Sequence, residues 1–165
     1  YRFFAFLSVL LFAGSAHADF GDLAVGGQMG VGAMALKDDS GLGGSTTAHA
    51  LMLQPEMNLR VGLTDWLNLD TGAGFAFFDG ISAGSIDLGV TGAIDIFALV
   101  PELKLGLFLI MLREDDSFRA MLGLDAAIAL RYHLDFNWSV AVGAELNVAI
   151  VPRYQGTISF LYVID

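Results

Sequence analysis

Cysteine is absent, and histidine occurs only as His17, His49 and His133. Without thiols there is no disulfide framework, no thiolate metal centre and no lipidated cysteine behind an export signal. An exported chain of this size must then draw its stability from packing, backbone pairing or a membrane. Basic residues are also scarce. Eight Lys and Arg stand against 18 Asp and Glu, a formal charge of −10, and so acidic a chain repels nucleic acid, whose binding needs clustered Lys and Arg. A convincing membrane-spanning helix is missing as well. The best stretch, Leu88 to Leu112, is interrupted by Asp95, Pro101, Glu102 and Lys104. Each is costly or disruptive in a lipid-facing helix, and the apolar positions do not keep helical spacing.

What is present is oily: mean hydropathy is +0.63, with 20 glycines. An apolar run from Phe3 to Ala13 follows Arg2 and ends at Ala16-His17-Ala18, the A-x-A pattern that signal peptidase cuts. The run is shorter than the ~20 residues of a spanning helix. Residues 1–18 therefore read as a cleaved secretory signal peptide, and residues 19–165 as one domain.

Behind the signal the dominant pattern has period two. From Leu51 to Leu63 every second residue is apolar, while Gln54, Glu56, Asn58 and Arg60 fall between. Successive strand side chains point to opposite faces, so this is a strand with one oily and one charged face. The same alternation predicts outward Leu23, Val25, Met29 and Val31 against inward Gly26, Gln28, Gly30 and Gly32. It continues with Leu67 to Phe77 against Asn68, Asp70, Gly72 and Gly74. It then predicts Ile86, Leu88, Val90, Ile94 and Ile96 against Asp87, Thr91 and Asp95, and Leu103 to Met111 against Glu102 and Lys104. Leu122 to Leu134 alternate with Arg119, Asp125, Arg131 and His133, and Trp138 to Ile150 with Glu145 and Asn147. Ile158, Phe160, Tyr162 and Ile164 form the outer face of a last strand. Pro101 reads as a turn, because it cannot donate to a ladder. Thr64-Asp65 and Asp135-Phe136-Asn137 read as tight turns; Lys37–Thr46, Arg113–Ser117 and Pro152–Gln155 read as loops.

The count is about eight strands, mostly of the ~9–11 residues that a tilted membrane strand needs. The fold class is thus all-β: a single up-and-down antiparallel transmembrane β-barrel behind a signal peptide, with the oily faces toward lipid. Trp66, Tyr132, Phe136, Trp138 and Tyr162 gather at the tight turns and near the chain end, sketching a periplasmic aromatic girdle at headgroup level.

With Gly62-Leu63-Thr64-Asp65-Trp66-Leu67-Asn68-Leu69, the A-x-A signal and the alternating hairpins, the chain resembles the small outer-membrane β-barrels of the OmpX, OmpA-barrel and OmpW kind over nearly all of residues 19–165. The resemblance implies residence in the bacterial outer membrane, contact with its lipid and lipopolysaccharide, and folding by the barrel-assembly machinery. In those families that machinery reads a terminal aromatic residue. Phe160 and Tyr162 are the candidates, beside Val163-Ile164-Asp165.

Some barrels of this kind are enzymes, modifying lipid A or cleaving protein. Here His133 is predicted inside, near the periplasmic end, and His49 on the lipid side near the outer rim. Neither has a Ser or carboxylate at a triad spacing, and two lone histidines make a poor metal site. No catalytic residue, metal or cofactor is expected. The inward column of Gln54, Glu56, Asn58, Arg60, Asp70, Asp87, Asp95, Lys104, Arg119, Asp125, Arg131, Glu145 and Asn147 mixes both signs, as a salt-bridge plug requires. The loop acids Asp38, Asp39, Asp79, Glu114, Asp115 and Asp116 are expected on the outer face, solvated or bridged by divalent cations to lipopolysaccharide phosphates.

The leading expectation is a non-enzymatic barrel with a filled, charged lumen and a structural or surface-interaction role in the envelope. One alternative is a narrow channel for small solutes or apolar ligands. Another is a soluble periplasmic lipocalin-like barrel, its apolar face turned inward around a lipid.

Overall fold

The structure, a computed structural model, describes residues 21–38, 46–78, 81–96, 98–114, 117–148 and 152–164. Residues 1–18, with Ala16 and Ala18, lie outside them. The chain forms β1 (Leu23–Asp38), β2 (Thr46–Thr64), β3 (Leu67–Phe78), β4 (Ile81–Ala93), β5 (Leu99–Glu114), β6 (Ser117–His133), β7 (Trp138–Val148) and β8 (Arg153–Ile164). Each strand pairs antiparallel with the next, and β8 pairs back onto β1, from Leu23↔Ile164 to Met34↔Arg153. The all-β, eight-stranded, up-and-down barrel expected from the alternation is the observed fold. Closure leaves no open strand edge, so the backbone groups of the wall find partners within it.

The wall is inverted relative to a water-soluble protein. Leu51 and Met57 are 77% and 78% exposed on the outside, whereas Gln54 between them is 1% exposed in the interior. A belt of outward Leu, Ile, Val and Phe runs round all eight strands, far more apolar surface than a soluble monomer leaves bare. This polarity overturns the lipocalin-like alternative, which needs the oily face inward.

Three connections share the rim where β1 begins and β8 ends. Asp65 and Trp66 join Thr64 to its partner Leu67. The turn lies one residue later than expected, because a register shift between Gly62 and Thr64 places an extra residue in β2. Between β6 and β7 the carboxylate of Asp135 accepts from the N–H groups of Asn137 (2.9 Å) and Trp138 (2.7 Å). That is the local Asp turn.

Four sequence expectations are corrected. Pro101 is not a turn but the third residue of β5, opposite Leu130 of β6. Its carbonyl accepts from Ile94 N–H at 3.1 Å, just past the end of β4. The pairing continues past it to Ile96↔Leu99, so the proline forfeits a single bond, the reciprocal one to Ile94 O, near the end of the hairpin. Asp95 lies beyond the end of its strand. β4 ends at Ala93, leaving Ile94, Asp95 and Ile96 in the β4–β5 connection, which Ile96↔Leu99 closes as an isolated bridge. Arg113–Ser117 contributes little loop, because β5 and β6 stay paired as far as Glu114↔Ser117. Finally, Arg153, Tyr154 and Gln155 belong to β8 rather than to a loop.

Glycines make the interior. A Cβ at Gly30 would collide with the Gln155 amide, and one at Gly26 with Leu161, so the bare inner face of β1 is where side chains from β8 lie. Toward the opposite rim the lumen is closed by an apolar cluster of Met34, Met52, Ala76, Ala83, Phe108 and Ile110. The polar residues occupy the barrel between that cluster and the turn rim.

Candidate functional site in the barrel lumen

Alternate residues of all eight strands supply the lumen side chains, with Gln28 of β1 donating to Glu145 Oε2 at 3.3 Å. β2 sends in Gln54, Glu56, Asn58 and Arg60, β3 Asp70, β4 Asp87, β5 Glu102 and Lys104, β6 Asp125 and Arg131, β7 Glu145 and Asn147, and β8 Arg153 and Gln155. They assemble into two networks. Nearer the turn rim, Arg60 bonds Asp70, its cross-strand partner, at 2.6 Å and Glu102 at 2.6 Å. Arg131 grips the same Glu102 through two bonds, Nε to Oε1 at 2.7 Å and Nη2 to Oε2 at 3.1 Å, and donates to Ser139 Oγ at 3.1 Å. Glu102 is thus held between two guanidiniums in paired, planar bonds that lysine could not reproduce. Two cations meet two anions, so this network is formally neutral.

The second network lies toward the apolar cluster. Lys104 bonds Asp87 and reaches Asp125 at 3.3 Å. Arg153, 1% exposed, donates to Gln54 Oε1 at 2.5 Å, to Asn147 Oδ1 and to Glu145 Oε1 at 3.3 Å, and its guanidinium lies 4.8 Å from the centre of the Phe108 ring. Asn147 ties the strands together by donating to Asp125 (2.6 Å) and Glu145 (3.1 Å). Gln54 Nε2 donates to Glu56 Oε2 at 2.9 Å. Such groups persist in a low-dielectric interior where they are paired or hydrogen-bonded. Removing one partner of a buried pair costs about 3–5 kcal/mol.

Among the lumen residues read from the sequence, the structure brings together Gln54, Glu56, Asn58, Arg60, Asp70, Asp87, Lys104, Asp125, Arg131, Glu145 and Asn147. Asp95 sits in the β4–β5 connection, and the side chain of Arg119 lies outside the described residues. So do the loop acids Asp39, Asp79, Asp115 and Asp116 and the side chains of Asp38, Glu114 and His49. Trp66, Tyr132, Phe136, Trp138 and Tyr162 all sit exposed at the turn rim, with the Trp138 and Tyr162 rings 4.8 Å apart across β7 and β8. Arg153 and Gln155 were missed. The signal existed: counting back by twos from Phe160 and Ile158 through Tyr154 places Arg153 and Gln155 on the inner face.

What the networks leave open is small. A cavity of about 60 Å³, bordered by Asn58, Arg60, Asp87, Thr91, Lys104 and Ser159 among others, has room for roughly two waters. His133 closes β6 at the turn rim, with its backbone N–H on Ala98 O at 3.0 Å. Among the described residues no group of three His, Cys, Asp or Glu is placed to hold a metal ion.

No protein-family model matches the chain, and no curated protein matches its sequence. Solved structures do match in shape. The N-terminal β-barrel domain of Pseudomonas aeruginosa OprF superposes with a TM-score of 0.63 at 12% identity, covering 85% of this chain and 97% of that one. Neisserial surface protein A gives 0.64 at 15% identity over 85% and 96%. The outer membrane protein OprG of P. aeruginosa gives 0.61 at 12% identity over 90% and 98%. At such low identity the likeness concerns architecture: the chain has the fold of the small eight-stranded outer-membrane β-barrels.

Proposed function

We propose that the protein is a non-enzymatic barrel of the bacterial outer membrane, exported behind a cleaved signal, with a lumen that is a structural plug and an outer surface that serves the envelope. The observation that carries this reading is the filling of the lumen. Two ion-pair networks and the Met34–Met52–Phe108–Ile110 cluster occupy successive levels of the barrel, and the cavity of about 60 Å³ between them is too small for a conduit. An eight-stranded barrel is just wide enough for side chains to fill, which argues in the same direction. The apolar belt and the rim aromatics support insertion in lipid, where lipid and lipopolysaccharide are the neighbours and the barrel-assembly machinery is the partner during folding.

Planar-bilayer recording tests the plug. The refolded protein is expected to give no reproducible conductance steps, and reproducible steps would overturn the reading in favour of a narrow channel. Membrane insertion itself is tested by gel migration: the unboiled folded barrel is expected to run differently from the boiled chain, and identical migration refutes it.

A further inference from the structure

The two lumen networks differ in charge. The one at the turn rim balances Arg60 and Arg131 against Asp70 and Glu102. The other sets Lys104 and Arg153 against Glu56, Asp87, Asp125 and Glu145, an excess of two negative charges among the described side chains. Glu56 is the carboxylate with no ion pair among the described residues; its Oε2 takes only the Gln54 amide.

The excess points at one place. Asn58, Gly72 and Asp87 form a single cross-strand row on β2, β3 and β4, with Glu56 beside Asn58. The first atoms that a Cβ on Gly72 would meet are Asp87 Oδ2, Glu56 Oε1 and Asn58 Oδ1. Two carboxylate oxygens and the Asn58 amide thus converge over a residue that has no side chain. Two of the groups bordering the adjoining cavity are buried without a hydrogen-bond partner: Asp87 Oδ2, on a residue 7% exposed, and the hydroxyl of Thr91, 1% exposed. The Asn58 amide can serve either state of the site. With its oxygen toward Glu56 it faces only acceptors, and rotated it would donate to Glu56 Oε1 at 2.7 Å and Met57 O at 3.1 Å.

We propose that the lumen binds one divalent cation of the calcium class over Gly72, held by the carboxylates of Glu56 and Asp87 and the amide oxygen of Asn58. The donor chemistry is that of a hard cation, which takes oxygen ligands in flexible geometry and completes its shell with water. The cavity of about 60 Å³ supplies room for roughly two such waters. One divalent charge cancels the excess of the network. Lys104 is the nearest competitor, but it engages the other oxygen of Asp87 and leans toward Asp125. Binding also decides the Asn58 rotamer, with oxygen inward when the cation is bound. The site goes beyond the plug reading and is independent of conductance.

The test uses the full chain, refolded in lipopolysaccharide-free detergent, stripped with chelator and equilibrated with radiolabelled calcium. Wild-type protein is expected to retain one calcium per barrel and to unfold at a higher temperature in calcium than in chelator. Glu56→Gln is expected to weaken binding by about tenfold or more, since affinity follows ligand charge. Gly72→Ala, which removes no charge but fills the site, is expected to abolish binding. The loop double variant Asp115→Asn with Asp116→Asn is expected to bind as the wild type does. The proposal is overturned if wild-type protein retains no calcium, if its unfolding temperature ignores the chelator, or if the loop variant alone loses the ion. Unchanged binding by a folded Glu56→Gln or Gly72→Ala barrel overturns it as well.

Discussion

Replacing Glu102 by Gln probes how far the lumen relies on charge. The carboxylate is 6% exposed and accepts from Arg60 Nη1 at 2.6 Å and from Arg131 at 2.7 and 3.1 Å. The amide keeps the shape but removes the charge, and its NH2 group points a donor at one of the guanidiniums. Arg131, itself 6% exposed, then loses its one ion-pair partner among the described residues, while Arg60 keeps Asp70. The loss falls in the range of about 3–5 kcal/mol for breaking one side of a buried pair. Equilibrium urea unfolding of the refolded barrel measures it, followed by fluorescence of Trp66 and Trp138 at the turn rim. The companion measurement is a double-mutant cycle with Arg131→Met. The double variant is expected to recover part of the loss, with a coupling of about 0.5–3 kcal/mol. A loss below about 1 kcal/mol for Glu102→Gln, or a coupling of zero, would refute the reasoning, because the pair would then behave like an exposed one.

Arg153→Met keeps the bulk near Phe108 but strands Glu145 and Asn147; the same unfolding assay is expected to register about 3–5 kcal/mol. Met57→Arg sets a charge on the lipid face of β2, where Met57 is 78% exposed. Refolding into vesicles is expected to be weakened by about 2–4 kcal/mol if the site is near the midplane, and an unchanged free energy would mean that this face does not meet lipid. Asp135→Ala removes the acceptor for two N–H groups in an exposed turn. It is expected to cost only about 1 kcal/mol, without altering conductance or the migration of the unboiled barrel.

Period-two alternation alone placed the inner and outer faces of β2, β3 and β7, because side-chain direction along a strand follows from parity. Parity does not say where a strand stops. Asp95 has the right parity for the lumen, yet β4 ends two residues before it. Pro101 reads as a breaker because a ladder needs its N–H, and only the hairpin around it shows that a single bond, the return to Ile94, is forfeited. Arg153 and Gln155 were obscured by Pro152, a turn signal that marks the residue before β8 rather than the loop beyond it. The pairing of particular charges was not legible at all. Arg153 and Gln54 are 99 residues apart, and barrel curvature across several strands, which no local pattern encodes, brings them into contact.

Strand β8 is at once the seam of the barrel and the carrier of Arg153. A seven-stranded intermediate would hold Glu145, Asn147 and Gln54 without their guanidinium, and Gly30 without the Gln155 amide that packs on it. Geometric closure and delivery of that guanidinium are therefore one event in assembly. An unsealed barrel carries one negative charge more in its interior than the closed one, and the last hairpin to dock brings the cation that lowers it.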